Sequence, residues 1–303
     1  MKKVLLFIAL LFSMVSSSYS SELWITSNNA KIFYSKEKYQ LLKIDPKINV
    51  FKFYYQVIQR TPRSELERIF KFLRANNIKV AIEVPGMTWE DHGPGYGVEG
   101  FGPSFFQKDL IKRIHEANGY VNYFAIDEVL WYAHYNNKTK INSDIRDIAL
   151  QVSRNIDEYH SQFPYAKIGL IEPLSQIYNA DKFNGIQKFV NDFNSTSKYK
   201  LSFIHYDVLW SSDFGYIYNQ LLNFSSDNDL TYGVIFNDNS NAKSKTWMAN
   251  ARKNIKEFLS QTNKIPEQII FQSWNKSPHM NFYTSNPESL GSLPEYTSEL
   301  IAK

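Results

Sequence analysis

The chain has 303 residues, with 34 Lys and Arg against 30 Asp and Glu, a formal net charge of +4. At 43% hydrophobic and 21% charged it is globular rather than disordered, and without a Lys/Arg cluster it gives no case for nucleic acid or an anionic membrane as partner. Cysteine is absent, which excludes disulfides, thiolate metal sites and a cysteine nucleophile.

Residues 1–20 read as a signal peptide. Lys2 and Lys3 form a basic start, Val4 to Val15 is apolar but short for a bilayer span, and Ser18-Tyr19-Ser20 offers small residues for cleavage before Ser21. Without those lysines the formal charge falls from +4 to +2. The expected mature protein, residues 21–303, is one secreted or periplasmic domain, monomeric, with no membrane segment.

Short apolar runs rich in Val, Ile, Phe and Tyr then recur along the chain: Leu23–Thr26, Val50–Val57, Lys79–Val84, Tyr123–Ile126, Lys167–Ile171, Leu201–Tyr206, Tyr232–Phe236 and Ile269–Gln272. Such runs predict strands, and apolarity on both parities predicts burial on both faces. Helical stripes lie between them. Thr61-Pro62 predicts a helix start, followed by Leu66, Ile69, Phe70 and Leu73 on one face. Ile145, Ile148, Ala149, Val152 and Ile156 form a second stripe, and Ala251, Ile255, Phe258 and Leu259 a third. Eight strands alternating with helices predict an α/β fold, a (β/α)8 barrel. A doubly wound open sheet is the alternative, but no Gly-rich phosphate turn follows the first strand. Met87–Pro103 predicts a long Gly-rich loop without secondary structure.

In a (β/α)8 barrel the site lies at the C-terminal ends of the strands, and there the polar residues collect. Strand two ends in Tyr54-Tyr55-Gln56, strand three carries Glu83, strand four ends in Asp127-Glu128 and strand five in Glu172-Pro173. Strand six gives His205-Tyr206-Asp207, strand seven Asn237-Asp238-Asn239, and strand eight Gln272-Ser273-Trp274. Converging carboxylates repel, which raises at least one pKa. A neutral carboxyl beside an ionised one suits acid catalysis at a glycosidic oxygen. Trp89, Trp131, Trp210 and Trp274 follow strands three, four, six and eight, where indoles stack on sugar rings or pack loops onto the barrel.

Structural readings stand beside these. Asp127 and Glu128 could form a barrel salt bridge, Glu172 could be structural, and His205 with Asp207 could be a supporting hydrogen-bonded pair. Asp238 suits a turn, His92 and Glu99 suit an exposed loop, and His134 could meet a substrate hydroxyl or pack its loop.

The stretches G-V-E-G-F (97–101), Y-F-A-I-D-E-V-L-W-Y-A-H (123–134), I-G-L-I-E-P (168–173) and I-I-F-Q-S-W (269–274) resemble a set of uncharacterised secreted bacterial proteins with a glycoside-hydrolase-type (β/α)8 barrel. That pattern has D-E-P-L where this chain has Asp127-Glu128-Val129-Leu130. A looser likeness is to retaining glycosidases whose fourth strand ends in N-E-P, with that Glu as acid/base. Their strand-seven nucleophile Glu has no counterpart here, where Asn237-Asp238 stands. Other glycosidase barrels pair acids from strands four and six, which would suit Glu128 with Asp207.

The expected activity is that of a carbohydrate-active enzyme, a glycoside hydrolase acting on an oligo- or polysaccharide without a cofactor. Glu128 is the expected proton donor, Asp207 the second carboxylate with Glu172 in reserve, and Asp127 the group that tunes Glu128. Tyr54, Glu83, Trp89, Glu99, Trp131, His134, His205, Trp210, Gln272 and Trp274 are the expected sugar contacts. Two rivals keep the barrel: a glycan-binding protein without chemistry, and a divalent-metal-dependent sugar isomerase or hydrolase held by Glu83, Glu172, His205 and Asp207.

Overall fold

The computed structural model describes residues 21–302 apart from residues 29, 211–212, 263 and 279–281. The signal-peptide reading lies outside the described residues.

Among the described residues ten strands occur, in the order β1 (Glu22–Ser27), β2 (Val50–Tyr54), β3 (Lys79–Val84), β4 (Met87–Trp89), β5 (Phe101–Pro103), β6 (Tyr123–Asp127), β7 (Lys167–Glu172), β8 (Phe203–Asp207), β9 (Thr231–Phe236) and β10 (Gln268–Phe271). Eight of them close a parallel barrel in the order β1-β10-β9-β8-β7-β6-β3-β2. These are the eight runs expected from the sequence, and the chain is a (β/α)8 barrel.

Apolarity on both parities has a direct cause here. One parity points into the barrel, where Trp24, Val50, Ala81, Tyr123, Ala125, Ile171, Phe203, Ile235 and Ile270 form an inner cluster. The other parity faces the helices and joins a much larger outer core. Rings fill the inner cluster from below: Trp24 lies 4.6 Å from Tyr123, 5.9 Å from Phe203 and 4.9 Å from His205, centroid to centroid. Gly233 makes room for this, since a Cβ there would stand 2.6 Å from the His205 ring.

The helices are α1 (Tyr55–Arg60), α2 (Arg63–Ala75), α3 (Phe106–Glu116), α4 (Ile145–Gln162), α5 (Leu174–Asp181), α6 (Asn184–Thr196), α7 (Phe214–Asp227), α8 (Ser244–Gln261) and α9 (Leu293–Ile301). The stripes read in α2, α4 and α8 are buried, except that Leu259 is only half-buried. Between β1 and β2 the connection uses 3-10 turns, Lys31–Tyr34 and Lys36–Lys43, in place of an α-helix.

Two local expectations change. The second strand stops at Tyr54, and Val57 and Ile58 are buried as part of α1 instead. Thr61 ends that helix rather than starting the next. Its N–H and hydroxyl both donate to the Val57 carbonyl, at 3.1 and 2.6 Å, because a threonine hydroxyl reaches the carbonyl four residues back. Pro62 is then the flanking residue of α2. The Met87–Pro103 segment is also more ordered than expected, since its ends pair as β4 and β5, with Met87 opposite Phe101.

Candidate active site

The parity that builds the inner cluster also decides which polar residues enter the mouth. Continuing each strand in steps of two from its inner residues brings Lys52 and Tyr54 inward from β2, Glu83 from β3, Asp127 from β6 and Asp207 from β8. At the floor Lys52, fully buried, donates to the carboxylate of Glu83 and the amide oxygen of Gln272. A buried ammonium needs such partners. Lys52 was not among the residues expected from the sequence. Its signal was an inward lysine between two apolar neighbours in V-F-K-F-Y.

Around that cation stand carboxyls that repel one another. Burial pushes Asp127 well above the ordinary aspartate range, Glu83, Glu99 and Asp207 add repulsion, and Lys52 pulls the other way. Burial also lifts Glu128, with Asp207, Asp127, Glu99 and Glu172 repelling it. Asp207 is pushed up to about 7, mainly by burial, although Asn237 donates to it at 3.3 Å. Glu99 borders the cleft, and loss of solvent around its carboxyl raises its pKa too, with a hydrogen bond from Tyr132 opposing and repulsion from Glu83 adding. The Tyr54 hydroxyl is buried without a hydrogen-bond partner among the described residues, and burial with the surrounding carboxylates raises its pKa.

A cavity of about 870 Å³ opens above this floor. Its acids are Glu83, Glu99 and Asp127, and its aromatic wall includes Tyr34, Tyr54, Tyr55, Trp89, Tyr96 and Trp274. Trp89 packs edge-on against Tyr96, with ring centroids 4.7 Å apart. The Gly-rich segment contributes residues 96–101 to the wall, so the long loop is part of the mouth.

Other expected site residues do not line this cavity. Asp207 belongs to the inward acid cluster but, like Glu128, is not on the cavity wall. Glu128 turns the chain after β6 with φ at +39°, in the left-handed region that non-glycine residues rarely occupy. Glu172 stands on the outward parity of β7, fully buried, and accepts the backbone N–H groups of Leu130 and Trp131 at 2.8 and 3.1 Å. It thus holds the turn that carries Asp127 and Glu128. His134 engages the Ser143 carbonyl at 2.8 Å. Trp131 packs against the outer core. Trp210 stacks near Phe236 at 6.1 Å and donates to Asn237 at 2.8 Å, the same asparagine that reaches Asp207.

The four residues of the metal reading, Glu83, Glu172, His205 and Asp207, are not gathered at one point. His205 is deep in the barrel, its Nε2 meets Gln268 at 2.8 Å, and burial lowers its pKa to about 3. Glu172 faces the opposite way from Glu83 and Asp207. Among the described residues no three His, Asp or Glu side chains form a metal-binding group. Asp238 serves its own turn, accepting from Ser240 at 2.6 Å and from Asn250 at 3.1 Å.

This geometry defines a parallel (β/α)8 barrel with an acid cluster at its C-terminal mouth. No protein-family model matches the chain, and no curated protein matches it. Solved structures do. It is similar to a GH10 endoxylanase retrieved from a sugarcane soil metagenome, with TM-score 0.55, 10% identity and 88% of each chain covered. Xylanase 10B from Thermotoga maritima has TM-score 0.54 and 10% identity over 94% of this chain and 95% of that one. A truncated 3-deoxy-D-arabino-heptulosonate 7-phosphate synthase from Thermotoga maritima shares the fold at TM-score 0.50 and 7% identity, over 93% of this chain and 86% of that one. The fold is therefore one that glycoside hydrolases use, and also one that other chemistries use.

Proposed function

We propose that the protein is a glycoside hydrolase that binds an oligo- or polysaccharide in the 870 Å³ cavity. One observation carries this reading. The same cavity wall presents Asp127, whose pKa burial and its acid neighbours push well above the ordinary aspartate range, and Glu83, whose carboxylate is paired with the Lys52 ammonium. A neutral and a charged carboxyl at one aromatic-lined cleft are what glycosidic cleavage requires. Asp127 donates its proton to the glycosidic oxygen as the C–O bond breaks. Glu83 offsets positive charge growing on the sugar ring and takes a proton from the water that adds to it. Tyr54 places a phenol donor beside both.

Glu128, one residue on, is the competing donor. The test is release of new reducing ends from a polysaccharide panel by wild type, Asp127→Asn and Glu128→Gln. Loss of cleavage by a factor of roughly 10²–10⁴ in Asp127→Asn, with glycan binding intact and Glu128→Gln active, supports the assignment. The reverse pattern moves the donor to Glu128. Binding without cleavage by the wild type would leave a glycan-binding protein. The basic and apolar leader supports action outside the cytoplasm, and N-terminal sequencing of exported protein should begin at Ser21.

A further inference from the structure

The mouth is electrically divided. Following the barrel around, its carboxyls project from β3, β6 and β8. The opposite arc, formed by the loops after β10, β1 and β2, carries Lys31, Arg60 and Trp274 on the wall of the main cavity. A second cavity of about 360 Å³ shares Trp274 and is lined otherwise by Asn241, Asn275, Lys276 and Ser277, with no carboxylate. The two cavities are also tied by chain, since Asn28 of the first donates to the Asn275 carbonyl of the second at 2.7 Å.

Two cations on this side, Arg60 and Lys276, are not explained by folding. Arg60 and Lys276 are exposed, and neither has a carboxylate partner among the described residues. Arg60 closes α1, where a cation suits a helix end, but that end opens on the cavity. Tyr55 lies within electrostatic reach of both signs: burial raises its pKa, Asp127 adds to the rise and Arg60 opposes it. Trp274, 44% exposed, lines both cavities, and an indole is large enough to stack on a sugar.

We infer that the substrate is an acidic glycan of the polyuronate class, bound as a chain across both cavities, with its carboxylates on Arg60 and Lys276 and a ring against Trp274. This rests on the glycoside hydrolase reading for what happens at Asp127, but the binding claim stands apart from it. Arg is suited to a planar carboxylate, which it can grip through two parallel N–H donors. The anionic substituents lie on the basic arc, away from the acid cluster, so the scissile bond reaches Asp127 without setting carboxylate against carboxylate.

The experiment is retention of the mature protein in affinity gels containing polygalacturonate, alginate or polyglucuronate, with methyl-esterified polygalacturonate, xylan and dextran sulfate alongside. Asp127→Asn serves as the non-cleaving background. At least one polyuronate is expected to retain the protein. Esterification or Arg60→Ala should weaken that retention about tenfold, Arg60→Lys should recover part of it, and Trp274→Ala or Lys276→Ala should weaken long chains more than short ones. Thermal melts of each variant keep misfolding separate. Retention by no polyuronate overturns the inference, as does equal retention by xylan or by dextran sulfate, or indifference to Arg60→Ala. Cleavage of a neutral glycan unaffected by Arg60→Ala would remove the inference and leave the hydrolase. Polyuronate binding without cleavage by the wild type would do the opposite.

Discussion

Lys52 inside the barrel is ion-paired with Glu83, and the pair is the fixed charge against which the other mouth acids are set. Lys52 is completely buried, and its ammonium also serves Gln272. Removing one member of a buried pair strands the other, at about 3–5 kcal/mol. Lys52→Met should therefore lower the stability measured by urea unfolding by that amount. Lys52→Met with Glu83→Gln should recover part of it, because the stranded charge is gone. A loss below about 1 kcal/mol would mean that water reaches the pair.

Glu172 gives a pH prediction with a definite sign. Burial raises its carboxyl to about 8, while the Leu130 and Trp131 N–H groups pull it down without winning. A carboxyl whose folded pKa exceeds its unfolded value contributes stability that is complete below the unfolded value, near 4.5, and lost as pH rises through the folded one. Asp207, at about 7, acts in the same direction. Urea midpoints should fall between pH 4.5 and 8, and Glu172→Gln should flatten that fall. A midpoint that climbs across the window would contradict the burial argument.

Much of this was written in the alternation of the strands. A strand apolar on both parities with an acid at its tip announces a barrel and its mouth, and all eight runs are barrel strands. The difficulty was one of parity at the tips. Asp127 and Asp207 continue the inward set, whereas Glu172 continues the outward set, and adjacent letters gave them equal standing. Lys52 carries little signal in the sequence, because lysine inside an apolar strand ordinarily snorkels to the surface, and the partners that make its burial tolerable, Glu83 and Gln272, are 31 and 220 residues away. The basic arc was hidden for a different reason. Arg60 and Lys276 are far apart in sequence and come to the same side of the mouth only when the barrel closes.

Gly100 is the backbone counterpart of that mouth. Its φ is +81°, and a Cβ there would sit 2.9 Å from the Asp127 carbonyl oxygen and 3.4 Å from that of Glu128. Alanine would carry a left-handed penalty of about 1–2 kcal/mol and push on the turn bearing both acids. Gly100→Ala should lower the melting temperature and reduce kcat more than it raises KM, since its nearest clashes are with the turn that carries the acids. A variant with native stability and unchanged kcat would show that the loop gives way instead.

The activity itself should carry the signature of the charge arrangement. If Asp127 is the donor, cleavage needs it protonated, so kcat/KM should fall as pH rises through its raised pKa, well above the ordinary aspartate range. Lys52 holds that pKa down from below. In Lys52→Met the alkaline limb should therefore shift to higher pH, even though the variant is less stable and Glu83 loses its partner. A pH–rate profile of the two proteins, taken at a temperature where both are folded, separates this from damage to the fold. Unfolding would scale the whole curve down, whereas loss of the ammonium moves the limb. An alkaline limb that stays in place would detach Lys52 from the acid, and a limb in the ordinary carboxylate range would remove Asp127 as the donor.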